Sequence, residues 1–269
     1  MPTIGVFDSG VGGLSVLRAI RAQLPHAPLL YFGDNAHIPY GPRPIEEIRT
    51  FSESIARLLL AHGAEVIVVA CNTASAAALK HLRATFPDVP FVGMEPAVKP
   101  AAERTQTGVV GVLATPATFQ GELFNSVVER FAQGVKVIPQ ICPGLVQQIE
   151  AGELDTPETE SMLRGWVEPL LAQNIDALVL GCTHYPFVIP LLEKICGPRV
   201  RVIDPAPAVA RQVGRVVTRS GPTVGVLTYL TSGEPRAFQQ VLEKLGIETG
   251  EVKGVRWAGN VIRLGSVRV

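Results

Sequence analysis

The feature that most restricts the fold of this chain is an internal repeat, in which an apolar run ends in a cysteine followed by hydrogen-bonding residues. Residues 68–75 read VVACNTAS and residues 179–186 read VLGCTHYP. Three matched pairs lie 106, 111 and 109 residues apart: Ser9 with Thr115, Cys71 with Cys182, and Glu95 with Asp204. Offsets this similar over most of the chain indicate a duplicated unit.

Each copy of the repeat alternates short β-branched runs with longer amphipathic stretches. TIGVF at 3–7 precedes GGLSVLRAIRAQL, and TGVVGVLAT at 107–115 leads into one expected helix, FQGELFNSVVERF, at 119–131. Such alternation indicates βαβ units and a parallel sheet. The predicted fold class is therefore α/β, with two similar parallel-sheet domains related by a pseudo-twofold duplication and an active site in the cleft between them.

The length of 269 residues suits two domains of ordinary size. We predict a first domain formed by residues 1–97 together with 210–269, and a second formed by 98–209. A third copy of the opening pattern, at 223–246, has no second half after it. We therefore expect this C-terminal segment to pack back onto the first domain.

Charge and cysteine content exclude several classes of function. Lys plus Arg and Asp plus Glu number 24 each, so the formal net charge is zero, and neither nucleic acid nor a membrane is an expected partner. No signal peptide or membrane-length apolar run is evident. Four cysteines without a C-x-x-C pair, and five histidines without metal-site spacing, predict a cytoplasmic protein with reduced thiols and no metal.

The repeated cysteines, Cys71 and Cys182, are both predicted to lie at the end of a strand and the beginning of a helix. Ligands of open α/β sheets bind there, and the helix N-terminus favours an anion and lowers a thiol pKa. Burial as an ordinary core residue is the alternative. The match across the repeat favours function for this pair, whereas Cys142 and Cys196 have no counterpart and are expected to be structural.

Two equivalent thiols suit an acid–base reaction in which a proton leaves one face of a carbon and arrives at the other. A thiol hydrolase would need one cysteine, a histidine base and an oxyanion hole. The neighbouring Asn72, Thr73 and Thr183 could form a carboxylate cradle, although helix capping is an alternative role for both threonines. His184 could relay a proton or partner a thiolate.

The opening FDSGVGG at 7–13 favours a competing interpretation, because a glycine-rich turn after a strand is typical of dinucleotide sites. Asp34 would then be the ribose-binding acid, but Ser15 occupies the place of the third glycine. Asp8 suits a ligand ammonium group better than a pyrophosphate. The residues alone leave open an amino-acid racemase, a non-catalytic bilobed small-molecule binding protein and, less favoured, a nucleotide-binding enzyme.

Six motifs together resemble the glutamate racemase family, a cofactor-independent branch of the aspartate/glutamate racemase superfamily. They run in order through most of the chain: FDSGVGGL (7–14), YFGDNAHIPYG (31–41), ACNTAS (70–75), GMEPA (93–97), ATPAT (114–118) and LGCTHYP (180–186). The resemblance implies interconversion of L- and D-glutamate for peptidoglycan synthesis, without an organic cofactor, by a protein that is commonly a homodimer. A racemase for aspartate or another amino acid is the nearest alternative.

The resemblance also implies roles for individual residues. Cys71 and Cys182 would be the alternating acid and base, acting on the α-protons of the D- and L-enantiomers respectively. Asp8 and His184 would assist the two thiols, and Glu150 in QQIEAGE is implicated as well. The implied substrate contacts are Asp8, Ser9, Tyr40, Gly41, Asn72, Thr73, Thr183 and His184. One departure is His37, where the family often has arginine.

Overall fold

A computed structural model describes residues 1–217 and 225–264. The described residues form two compact units: the first joins Met1–Met94 with the described residues of Ala206–Val269, and the second is Glu95–Pro205. The domain boundaries expected from the sequence stay a prediction. Residues 218–224 and 265–269 of the expected first domain, which include the start of the third copy of the repeat, lie outside the described part of the chain.

Strands and helices alternate through both units. The strands of the described chain are β1 (Thr3–Asp8), β2 (Leu29–Gly33), β3 (Ala64–Val69), β4 (Phe91–Gly93), β5 (Val109–Ala114), β6 (Lys136–Ile141), β7 (Ala177–Gly181), β8 (Arg201–Ile203), β9 (Leu227–Thr231), β10 (Glu251–Ala258) and β11 (Val261–Leu264). The helices are α1 (Leu14–Gln23), α2 (Ile45–Ala61), α3 (Asn72–Thr85), α4 (Val98–Ala102), α5 (Pro116–Gln120), α6 (Glu122–Phe131), α7 (Leu145–Glu150), α8 (Pro157–Leu171), α9 (Ile189–Cys196), α10 (Ala206–Val216) and α11 (Pro235–Lys244).

The second sheet has the same strand order as one segment of the first. The first unit holds a seven-stranded sheet, β11-β10-β9-β2-β1-β3-β4, and the second a four-stranded sheet, β6-β5-β7-β8. The segment β2-β1-β3-β4 thus has the same order as the whole second sheet, as a duplication predicts. Paired strands run parallel except β10 and β11, which are antiparallel. The predicted parallel-sheet α/β fold is confirmed.

The central strands are apolar over nearly their whole length because helices cover them. In β1, every residue from Ile4 to Asp8 is buried, which is the pattern of a parallel strand covered on both faces. Helix α2 buries Ile48, Ile55 and Leu59 at helical spacing, and these pack in one core cluster with the strand residues. This rigid interior supports the loops at the ends of the strands.

Two features of the helices bear on the prediction. The expected single helix at 119–131 is broken at Gly121, whose ψ of 138° is extended, so that α5 ends and α6 begins around it. A glycine has no side-chain packing to favour the helical conformation and loses more backbone entropy in a helix than other residues do. No helix in the described residues is both long and apolar enough to cross a bilayer.

Candidate active site

Three loops of the first unit begin side by side at the carboxyl edge of its sheet. Strand β1 pairs with β3 up to Phe7 opposite Val69, and with β2 up to Asp8 opposite Gly33. The residues at the ends of these strands therefore meet at one edge. This register places Asp8, Asp34 and Cys71 at the ends of three adjacent strands, where open α/β sheets bind their ligands.

Cys71 is the N-cap of α3, as the sequence predicted. Its backbone is extended and its Sγ accepts a hydrogen bond from Ala74 N at 3.4 Å. The thiol also donates toward Ser9 Oγ at 3.8 Å. Thr73 lies inside the helix, so the alternative in which it caps this helix is wrong. A cysteine in this position has both a hydroxyl partner and the positive end of a helix beside it.

Asn72 carries an amide group without protein partners. The residue is buried, and neither its Oδ1 nor its Nδ2 makes a hydrogen bond within the described part of the chain. A buried amide left unpaired costs free energy, so native proteins rarely keep one without a ligand or water. Its position directly after Cys71 leaves this amide available to a polar ligand or a water molecule beside the thiol.

Asp8 is fully buried at the end of β1. Its Oδ1 accepts a hydrogen bond from Gly10 N at 2.9 Å. Gly13 passes so close that a Cβ there would lie 2.7 Å from Asp8 Cβ. Glycine at this position therefore allows the turn to pass close to the Asp8 side chain.

Tyr40 and Gly41 lie between β2 and α2 in the same unit. Tyr40 is buried, and its hydroxyl donates to Asp34 Oδ2 at 2.7 Å. Burial raises the pKa of Tyr40 well above its ordinary value, and the Asp34, Cys71 and Asp8 charges raise it further. The tyrosine therefore stays protonated and can donate its hydrogen bond. With Asp8, Ser9, Cys71, Asn72 and Thr73, these residues make up the part of the predicted site that lies in the first unit.

The second unit repeats the arrangement. Ala114 at the end of β5 lies opposite Gly181 of β7 and Ile141 of β6. The residues directly after these strands, Thr115, Cys182 and Cys142, consequently share one sheet edge. Of these, Cys182 and Thr115 are the counterparts that the repeat pairs with Cys71 and Ser9.

Cys182 is the first of three side chains that contact one another in series. Its Sγ lies 3.7 Å from His184 Nδ1, and His184 Nε2 lies 2.6 Å from Glu150 Oε1 at the C-terminal end of α7. His184 is almost wholly buried, whereas 17% of the Glu150 side chain is exposed. A thiol, an imidazole and a carboxylate in this order can hold a proton between sulfur and nitrogen.

The prediction that Cys182 lies at the beginning of a helix is wrong. Tyr185 N donates to Cys182 O at 3.2 Å, which closes a turn, and a 3₁₀ helix comes next at Tyr185–Val188 before α9 begins. Thr183 lies in this turn, and the N-cap of the 3₁₀ helix is His184. Pro186 lacks the N–H that an α-helix would use and restricts the residue before it. Cys182 therefore has an imidazole where Cys71 has a helix N-terminus.

The electrostatics of His184 are set by two opposing effects. Burial alone would lower the pKa of this imidazole, but hydrogen bonds and charge from Cys182 and Glu150 outweigh burial and raise the pKa well above its ordinary value. The protonated form is therefore favoured at neutral pH. A protonated imidazole beside a thiol stabilises the thiolate.

Removing the charge of Glu150 is expected to lower the pKa of His184. In Glu150→Gln the neutral amide no longer favours the imidazolium, so the titration measured by NMR of the His184 ring should move to lower pH. Glu158→Gln, an exposed change in α8, should leave it unchanged. A histidine whose pKa is raised by folding stabilises the protein at pH values below its ordinary pKa of 6.5. This stabilisation is lost as the pH rises through the raised pKa of the folded protein. An unchanged His184 titration in Glu150→Gln would contradict this assignment.

Cys142 was expected to be merely structural, and the structure places it at the same sheet edge as Cys182. Burial raises the pKa of the Cys142 thiol well above its ordinary value and the nearby Cys182 raises it further, against an opposing effect of Tyr185. Cys142 therefore stays a neutral thiol and is a poor base. The sequence signal that could have located it is strand β6 itself, which ends at Ile141 immediately before it.

The chain resembles known proteins over nearly its whole length. The model of the Asp/Glu/Hydantoin racemase family matches residues 12–213. A glutamate racemase of Roseiflexus sp. is 51% identical over 256 residues, which cover 93% of this chain and 94% of that protein.

The chain belongs to the Asp/Glu/Hydantoin racemase family.

Solved structures agree with this family. Glutamate racemase isoform RacE1 from Bacillus anthracis aligns with a TM-score of 0.86 and 31% identity over 97% of this chain and 98% of that one. Escherichia coli glutamate racemase was solved in complex with L-glutamate and the activator UDP-MurNAc-ala. It aligns with a TM-score of 0.85 and 31% identity over 96% of this chain and 99% of that one. The chain is accordingly an isomerase of the amino-acid racemase class, and the resemblance inferred from its motifs is confirmed.

Proposed function

We propose that this racemase interconverts L- and D-glutamate without a cofactor, using Cys71 and Cys182 as alternating acid and base. The main support for the proposal is that both thiols lie just beyond corresponding strands, β3 and β7, of the four-stranded order that the two sheets have in common. The named relatives support glutamate as the substrate over aspartate.

The first step removes the α-proton of the substrate. In the L-to-D direction, Cys182 as thiolate takes this proton and the Cys71 thiol delivers another to the opposite face of the same carbon. In the reverse direction the roles exchange, with Cys71 as base toward D-glutamate. Since each turnover exchanges the protonation states of the two sulfurs, each must be able to act both as acid and as base.

The side chains around each sulfur supply the remaining chemistry. His184 as imidazolium stabilises the Cys182 thiolate, and Glu150 holds the ring in place. Asp8 assists Cys71 and can accept from the substrate ammonium. Negative charge that develops on the substrate carboxylate is stabilised by hydrogen-bond donors. The proposed substrate contacts are Asp8, Ser9, Tyr40, Gly41, Asn72, Thr73, Thr183 and His184.

The biological setting is part of the same proposal. We place the enzyme in the cytoplasm as a homodimer that supplies D-glutamate for peptidoglycan. Glutamate is the small-molecule partner, with no nucleic acid and no membrane involved.

Incubation with each enantiomer in deuterated water tests the activity. L-glutamate and D-glutamate should each lose their circular dichroism signal, and deuterium should appear at Cα of the product. L- and D-aspartate, which are one methylene shorter, serve as controls and should react more slowly by at least about tenfold. Failure of reduced protein to exchange or invert either glutamate enantiomer would overturn the proposal, and faster reaction with aspartate would reassign the substrate.

A further inference from the structure

A fully buried carboxylate lies beside the proposed substrate contacts and has no part in the proposed reaction. Asp34 comes directly after β2 and is inaccessible to solvent. Its Oδ1 accepts from Ser232 Oγ at 2.6 Å and from Trp257 Nε1 at 2.8 Å. Its Oδ2 accepts from Tyr40 Oη at 2.7 Å and lies 3.0 Å from His37 Nδ1. His37 Nδ1 also lies 3.2 Å from Oδ1. These four neighbouring groups together compensate the cost of burying the carboxylate.

These neighbouring groups come from distant parts of the sequence. His37 and Tyr40 lie on the loop between β2 and α2, Ser232 comes directly after β9, and Trp257 lies on β10. Ser232 Oγ also accepts from Ala36 N at 3.0 Å, so it joins the same loop a second time. Through Asp34, the C-terminal strands of the first unit are therefore linked to the loop that carries Tyr40 and Gly41.

Aromatic packing holds the group in one orientation. The His37 ring stacks on Phe51 with centroids 4.0 Å apart, and Trp257 meets His37 edge-on at 4.9 Å. Tyr40 lies 5.8 Å from Phe51 and belongs to the same core cluster as Cys71. A half-buried indole packed on two rings has little freedom to turn its N–H away from Asp34.

The loop held in this way offers two adjacent hydrogen-bond donors. Within the described residues, neither the Tyr40 N–H nor the Gly41 N–H donates a hydrogen bond to the protein, although the Tyr40 carbonyl accepts one from Arg43 N at 3.0 Å. Consecutive backbone N–H groups without protein partners are a common way to bind a carboxylate. The Tyr40 side chain is anchored beside them by its hydrogen bond to Asp34.

We propose that Asp34 and Trp257 are positioning residues for substrate binding, in which Trp257 fixes the Asp34 carboxylate and Asp34 holds Tyr40 so that the N–H groups of Tyr40 and Gly41 meet a substrate carboxylate. The inference rests on the proposed function for the identity of that substrate. Neither Asp34 nor Trp257 needs to touch the substrate. They act through Tyr40, and their loss should weaken binding more than it slows proton transfer.

Trp257→Phe is the decisive variant because it keeps an aromatic ring and removes the N–H. We expect it to raise KM about fivefold for both glutamate enantiomers and to change kcat less than about twofold. The reason is that the lost hydrogen bond does not touch the substrate and acts on it only through Asp34 and Tyr40. Asp34→Asn should raise KM further. Trp166→Phe is the matched control, since Trp166 is the other tryptophan, is also half-buried and lies on α8 of the second unit. It should leave both constants unchanged.

A purely structural role predicts a different result. A destabilised protein has a smaller active fraction, so kcat per mole of chain falls while KM stays the same. In the Trp166→Phe background, Trp257 is the sole tryptophan. Asp34→Asn should then shift the fluorescence emission of Trp257, because it changes the acceptor of the indole N–H. A changed kcat with unchanged KM, or a Trp257→Phe enzyme that behaves like Trp166→Phe, would overturn this inference alone. A parent enzyme that does not racemise glutamate would overturn both the proposed function and the inference.

Discussion

Replacing either Cys71 or Cys182 by serine is expected to lower the rate of glutamate racemisation at least about 1,000-fold in both directions, because each turnover needs one sulfur as base and the other as acid. A serine hydroxyl is far less acidic than a thiol, so it neither forms the base at neutral pH nor donates its proton as readily. Circular dichroism of L- and D-glutamate, measured separately, reports both directions.

Cys196→Ser is the matched control for these variants. Cys196 is buried at the end of α9, and it has no place in the proposed mechanism. Its variant should keep the parent rate within about threefold if it folds, since a buried thiol behaves as a small apolar group. If Cys71→Ser or Cys182→Ser racemised glutamate as fast as this control, the two-thiol mechanism would have to be abandoned, although the racemase activity itself would stand.

Replacing His184 by asparagine is expected to lower kcat about 100-fold, because Cys182 loses the imidazolium that stabilises its thiolate. The protein offers a close control in His81, whose Nε2 lies 2.8 Å from Glu53 Oε2 in the first unit. That pair has the same chemistry as His184 and Glu150, but it has no part in the proposed mechanism. His81→Asn should change kcat by less than about twofold, as other surface changes do.

The isotope effects of these variants separate the two sulfurs. His184 lies beside Cys182, the base toward L-glutamate in the proposed mechanism, so its loss should make that proton transfer more rate-limiting. The primary isotope effect with α-deuterated L-glutamate should then rise more than that with α-deuterated D-glutamate. Equal changes for both enantiomers would show that His184 acts on the site as a whole and not through Cys182.

Much of the fold could be predicted from local patterns. Apolar runs at 3–7, at 65–70 and before Cys182 indicated strands of both parallel sheets, and the offsets between matched residues predicted a duplicated unit, with which the repeated strand order agrees. Because the carboxyl ends of parallel strands meet at one edge, the loops that carry Cys71 and Cys182 could also be located. Such features depend on neighbours in sequence or on the period of the pattern.

Other features depend on contacts that no local pattern encodes. The bond between Glu150 and His184 joins residues 34 positions apart, and the bond between Asp34 and Trp257 spans 223. Glu150 was implicated only by the family resemblance, and the glycine-rich motif suggested Asp34 only as a candidate ribose ligand. The turn after Cys182 was also missed, since the strand before it resembles the one before Cys71 and only Pro186 distinguishes the next segment.

The unlike surroundings of the two repeated cysteines have a thermodynamic consequence under the proposed mechanism. Mirror-image substrates have equal free energies in water, so kcat/KM must be the same in both directions whatever the protein does. A helix N-terminus at Cys71 and an imidazole at Cys182 can therefore lower KM for one enantiomer only if kcat for that enantiomer falls by the same factor. Divergence between the halves after duplication could tune which form of glutamate saturates the enzyme first, but could never favour one product at equilibrium.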